Sequence, residues 1–313
     1  MNNGNAAPID NADARQQNSD KIITLQTLDD KSIRLQKTGN YIEALEYMEK
    51  ALILRQHLFG PKSDEFWIAC KTTSEMYNLL AMGHLQQSNF PPALELLRKA
   101  ELLTERDKKG RAVTLNNLAC YYRRNGNLTQ ASRYLSEALR LEDQMIDQES
   151  SRADTHLNMC AVLSEMGKHQ NALHHAQSAL VLLHEELHLP GMDGVSTLSG
   201  GNGSNYDRVA VLGIAYHNAG VEQEFLKRFE ASIQSYNKGL ECTEQWLGTK
   251  HGIVLTLRRA LDHAQHRLAA SRKPIFPIIG SSKSRAHNTF ASHQLRRPGS
   301  KRNALMVQKP RIR

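Results

Sequence analysis

One arrangement of small and large residues recurs five times along this chain, and it leaves room for few folds. Its clearest copy runs Leu118-Ala119, Tyr122, Gly126, Leu128, Ala131, Leu135, Ala138-Leu139. Upstream it appears as Leu35, Gly39, Tyr41, Ala44, Met48, Ala51-Leu52, and again as Leu80-Ala81, Phe90, Ala93, Leu97, Ala100. Downstream come Met159-Cys160, Leu163, Gly167, Ala172, Ala176, Ala179-Leu180, and a looser Ala219-Gly220, Phe229, Ser232, Tyr236, Gly239-Leu240. Each copy predicts two helices joined by a tight turn. Small residues at fixed places let the helices approach closely where they cross, and bulk there would force them apart. A lone hairpin of this kind leaves an apolar face that only its neighbour can cover, so three or more must stack. The predicted fold is all-α, a solenoid of five hairpins over residues 20–270.

The equivalent small residues Ala44, Ala93, Ala131, Ala172 and Ser232 lie 49, 38, 41 and 60 residues apart. The longest interval contains Leu189-Pro190-Gly191-Met192-Asp193-Gly194 and Ser199-Gly200-Gly201-Asn202-Gly203-Ser204. Such Gly- and Ser-rich sequence predicts a surface insert at 188–205. After the fifth hairpin, Ile253, Leu257, Leu261, Ala264 and Leu268 make one apolar stripe, expected of a helix that caps the stack. Residues 1–19 and 271–313 are expected to be disordered, the second segment being broken by Pro274, Pro277, Pro298 and Pro310.

The repeat resembles the tetratricopeptide repeat (TPR), and Thr114-Leu115-Asn116-Asn117-Leu118-Ala119 is similar to a signature of the kinesin light chain type. Leu58-Phe59-Gly60-Pro61-Lys62-Ser63-Asp64 and Leu247-Gly248-Thr249-Lys250-His251 resemble the Leu-Gly connectors of that type. The resemblance implies a right-handed superhelix with a concave groove that holds a partner's peptide or helix. It also implies that Asn residues on the groove wall hold the main chain of the bound segment. The matching positions are Asn117, Asn158 and Asn218, with Asn78 and Asn116 one residue earlier in the motif; Leu79 departs from the pattern. Arg123 and Arg124, beside the packing seam with Tyr121, are further candidates for the groove. The basic clamp of TPR adaptors that hold chaperone tails is not matched, since its first-repeat positions are Asp29 and Ile33.

Chemistry other than binding finds little support. The chain has no GxxxxGK[ST], GxSxG or strand-linked GxGxxG motif, so it is read as a non-enzyme without a cofactor. Its fourteen histidines include His174-His175 and His184 on one predicted helix and His263 and His266 on another. No set reaches the three or four ligands of a metal site, and none is expected. Cys70, Cys120, Cys160 and Cys242 lie far apart and read as reduced core residues, which suits the cytoplasm. No secretory signal and no apolar run of membrane-spanning length is present.

The net charge of +8 is unevenly placed: residues 271–313 hold eleven Lys or Arg and no acid, so the rest of the chain carries −3. The expected function is a protein–protein scaffold or adaptor. Two alternatives accompany it. Arg296, Arg297, Lys301, Arg302, Lys309, Arg311 and Arg313 could bind a polyanion such as nucleic acid or a microtubule. The chain could also be a structural subunit of a ciliary or transport assembly, with cytoskeletal or ciliary association.

Overall fold

The computed structural model describes residues 10–145, 152–187 and 203–272, and among them eleven helices and no strand. They divide into two compact units, one running to Thr155 and the other starting at His156. The first contains α1 (Asp10–Lys37), α2 (Tyr41–Phe59), α3 (Asp64–Gln86), α4 (Phe90–Leu103), α5 (Lys108–Arg124), α6 (Leu128–Glu142) and the first turn of α7 (Arg152–Glu165). The second contains the rest of α7, with α8 (His169–Glu186), α9 (Gly203–Phe225), α10 (Phe229–Leu247) and α11 (Gly252–Ser271). Three boundaries differ from expectation. Residues 10–19 belong to α1, α9 takes in the last three residues of the anticipated insert, and α11 runs to Ser271, the first residue of the anticipated tail.

The hairpins are those the repeats predict, because the small residues sit where helices cross. Ala44, Ala93, Ala131, Ala172 and Ser232 are all fully buried, as are Ala100, Ala138 and Ala179. Leu97, Leu135, Ala176 and Tyr236 fill the turn between them and are equally enclosed. The apolar stripe of α11 packs as anticipated: Ile253, Leu257 and Ala264 are buried, with Leu261 packed against their cluster. Cys70, Cys120 and Cys160 are buried free thiols, and Cys242 is half-buried.

Each hairpin turns through one residue in the left-handed conformation. At Gly39, Gly126 and Gly167 φ is +73° to +80°. The next amide reaches back across the helix end, Asn40 to the Leu35 carbonyl and Asn127 to that of Tyr122. This closes the last turn and satisfies carbonyls that the helix leaves bare. The same position is Ser88 in the second hairpin and Lys227 in the fifth, both at φ +60°, where a side chain costs energy that glycine avoids. Side chains fix the starts of several helices: Ser63 accepts from the Phe66 amide, Asp107 from Gly110 and Asn127 from Gln130.

Candidate functional site

In the first unit a groove of about 790 Å³ runs between α3, α5 and the start of α2. From α3 come Lys71, Glu75, Asn78 and Met82, one helical face at i, i+4, i+7 and i+11, together with Leu79 and Gly83. From α5 come Lys109, Gly110, Val113 and Asn117, and α2 adds Tyr41 and Ile42. Ile42 is 63% exposed, an apolar side chain left in water. Most of the groove's surface is apolar, and side chains of both charges, Lys71, Glu75, Asp107 and Lys109, are among those that line it.

The asparagines make up a polar layer beneath it. Asn78 donates to the Ser74 carbonyl (3.0 Å) and to the Thr114 hydroxyl (2.9 Å), and its carbonyl oxygen accepts from the Asn117 amide (2.9 Å). Both amide hydrogens of Asn78 are thereby used. Asn117 keeps one amide hydrogen and its carbonyl oxygen without a partner among the described residues. One hairpin further on, Asn116 donates to the Thr155 hydroxyl, which donates in turn to the buried Glu142 carboxylate at 3.1 Å. Asn78 and Asn116 are thus rungs of the same kind, an Asn on one hairpin's first helix bonded to a Thr on the next. Sequence reasoning missed the Thr partners. Their signal is that Thr114 and Thr155 recur at the 41-residue interval of Ala131 and Ala172.

Of the other groove candidates, Arg124 donates to the Leu85 carbonyl at the end of α3, so it caps a neighbouring helix. Arg123, Arg124 and Asn116 are not among the residues lining the groove. Asn158 and Asn218 are buried in the second unit, where Asn218 lies 3.4 Å from the His217 ring through its side-chain oxygen. The seven basic tail residues, Arg296 to Arg313, lie outside the described residues.

The second unit gathers titratable groups in its interior. Burial raises the pKa of Glu222, and hydrogen bonds from Ser164 and His169 oppose the rise. His169 meets that carboxylate at 2.8 Å and stacks on Phe225. The Nδ1 atoms of His156 and His175 are 2.8 Å apart, a distance that one shared hydrogen can bridge and two cannot. Burial, with His174 adding repulsion, lowers the His175 pKa to about 4, and burial lowers that of His184. No group of three metal-ligating side chains is found among the described residues.

An unfolded His175 takes up its proton near pH 6.5, whereas the folded one resists until about pH 4. The stability associated with neutral His175 is therefore present above pH 6.5 and lost as the pH falls toward 4. Solvent reaches part of the ring, so the expected loss is about 1–2 kcal/mol. The raised pKa of Glu222 acts in the opposite sense, since acidification relieves a buried charge. Comparing the native chain with His175→Gln isolates the histidine. Urea unfolding from pH 7.5 to 4.5 should show a shallower loss in the variant, and parallel curves would refute the assignment.

Models of the tetratricopeptide repeat match residues 24–65, 72–143 and 214–244. No curated protein sequence matches the chain. Among solved structures, the chain is similar to BtubC from P. vanneervenii, with 18% identity, 88% of this chain and 94% of that one covered, and a TM-score of 0.47. It is also similar to a signal transduction ATPase with a tetratricopeptide repeat sensor from Pyrococcus horikoshii, at 16% identity and a TM-score of 0.49. That likeness covers 75% of this chain and 30% of the other. A third is with the TPR-like repeats of a putative kinesin light chain of Podosopora anserina, at 16% identity, 69% and 96% coverage and a TM-score of 0.40. None of these likenesses assigns a role to a residue of this chain.

Proposed function

Since the chain carries tetratricopeptide repeats, a module of protein–protein scaffolds, we propose that it holds a segment of a partner protein in the groove between α3 and α5. The groove itself carries this reading. A groove of this volume, whose surface is mostly apolar while polar and charged side chains from α3 and α5 also line it, has the character of a recognition site. Ile42, Leu79, Met82 and Val113 would receive apolar side chains of the partner, and the open carboxamide of Asn117 would fix its position. No helix among the described residues is long and apolar enough to cross a membrane.

The test is cross-linking and affinity capture with the full chain, a Met82→Glu/Val113→Glu double variant and a Leu102→Glu control. Leu102 is 78% exposed and does not line the groove. Partners kept by the control and lost by the double variant, with helical content equal in both, are the expected result. An unchanged set of partners would remove the groove from consideration.

A further inference from the structure

The residue that precedes the second helix of each hairpin changes type along the chain. Asn40, Asn89 and Asn127 precede α2, α4 and α6, whereas Lys168 precedes α8 and Arg228 precedes α10. Asparagine suits this place, because its short side chain can accept from an amide of the first turn, as Asn127 does from Gln130. A lysine or arginine cannot accept, and its charge faces the positive end of the helix dipole. Lys227 is a third unfavourable choice. It closes the fifth turn with the same backbone bonds as Gly126, its own amide reaching the Glu224 carbonyl and the next amide that of Gln223. Its φ of +60° costs energy that a glycine would avoid.

These cations come together in the second unit. The Arg228 guanidinium donates to the Gln170 side chain at 3.2 Å, and the His169 and Phe225 rings stack with centroids 4.1 Å apart, so the start of α8 lies against the turn between α9 and α10. Lys168, Lys227 and Arg228 are all exposed, and none of them forms an ion pair among the described residues. Carboxylates of α9 and α10 near this turn are engaged elsewhere. Glu222 is buried against His169, Glu224 accepts from Tyr236 and Arg267, and Glu230 pairs with Arg272. Glu165, one turn before Lys168 on α7, is half-buried. Phe225 stays 46% exposed at the same turn. Nothing within the unit gains from like charges gathered at helix starts that repel them.

We propose that this edge of the second unit, made by the turns before α8 and α10, binds an acidic segment of a partner protein. Carboxylates of the segment would meet Lys168, Lys227 and Arg228, and an apolar side chain beside them would cover Phe225. An anion there compensates all the cationic choices at once, since it pairs the charges and is itself favoured by the two helix starts. The groove lies in the other unit, and neither reading depends on the other. Extent selects a protein segment over nucleic acid. A polyanion of uniform charge draws its affinity from a long positive track, whereas these cations span two turns with one exposed ring between them. Packed helices lie about 8–10 Å apart, a distance that about three residues of an extended acidic segment cover.

The probe is a dodecapeptide of Glu and Leu carrying one photo-reactive leucine, added to the full chain at low salt. A Lys and Leu twin and an oligothymidylate of equal length carrying 4-thiothymidine are the comparisons. Residues 271–313 hold eleven further cations that attract any acid, so the readout is where cross-links form, mapped by mass spectrometry. In the native chain the acidic peptide is expected to label residues 165–170 and 225–230. The variant Lys168→Asn/Lys227→Gly/Arg228→Asn gives both turns the residue types of the earlier hairpins. It should lose that labelling by about tenfold, the combined effect of three exposed charge contacts, while melting at a higher temperature than the native chain. Labelling confined to 271–313, equal labelling of both turns in the variant, or a lowered melting temperature would each overturn the proposal. Equal labelling of the turns by the Lys and Leu twin would reduce the contact to Phe225 and overturn it. Stronger labelling of the turns by the oligothymidylate than by the acidic peptide would assign the edge to nucleic acid, with the same consequence.

Discussion

Replacing Tyr236 by alanine should destabilise the second unit by about 3–5 kcal/mol, the loss typical of a large ring removed from a packed core. Tyr236 is fully enclosed and packs with Ile253, Val254, Leu257 and Ala264 of the capping helix. Its ring also lies over Gly220, so a cavity there borders α9, α10 and α11 together. The hydroxyl adds a separate contribution: it donates to the Glu224 carboxylate at 2.8 Å, which also accepts from Arg267 at 3.0 Å. Glu224 is almost wholly buried, and a carboxylate deprived of a donor in such a place is penalised. Tyr236→Phe keeps the ring and should cost about 1.5–3 kcal/mol, as for a hydrogen bond to a charged group. Urea unfolding followed by circular dichroism measures both. A loss below about 1 kcal/mol for Tyr236→Ala would mean that α11 does not depend on this core.

Asn78→Ala should cost the first unit about 1–3 kcal/mol, because it strands two buried groups on α5. Thr114 loses a donor, and the Asn117 amide loses the carbonyl oxygen that receives it. Asn117→Ala removes only the bond to Asn78 and should cost about 0.5–1.5 kcal/mol. The order of the two matters more than either value. If Asn117→Ala proves the more destabilising, the direction of support between α3 and α5 is the reverse of the one described. Measuring capture of a partner on the same variants separates the roles further, since Asn117 has hydrogen-bonding capacity left over and Asn78 has both hydrogens engaged.

The sequence was a good guide wherever a local pattern of volume carried the information. Ala44, Ala93, Ala131 and Ala172 are small because helices cross there, and no long-range knowledge was needed to place them in the core. The turns at Gly39, Gly126 and Gly167 were equally visible, since glycine readily takes the left-handed conformation. Ser88 and Lys227 take the same conformation without that signal, and there the sequence was mute. Arg124 shows a different limit. Its position beside the packing seam suggested a groove cation, yet it reaches across to the Leu85 carbonyl, a partner defined only by how α5 lies against α3.

What the sequence by itself determined is the all-α hairpin register and the capping stripe, because both follow from residue size and polarity at fixed helical spacing. Only the tertiary structure decided what the asparagines face. The partners of Asn78 and Asn116, Thr114 and Thr155, lie 36 and 39 residues away, and an amide's donor and acceptor serve a neighbouring helix as readily as a bound segment. That a Cβ at Gly83 would meet nothing within 4 Å is likewise a tertiary fact. The sequence shows a glycine, but whether anything approaches it depends on which helices pack nearby and which do not.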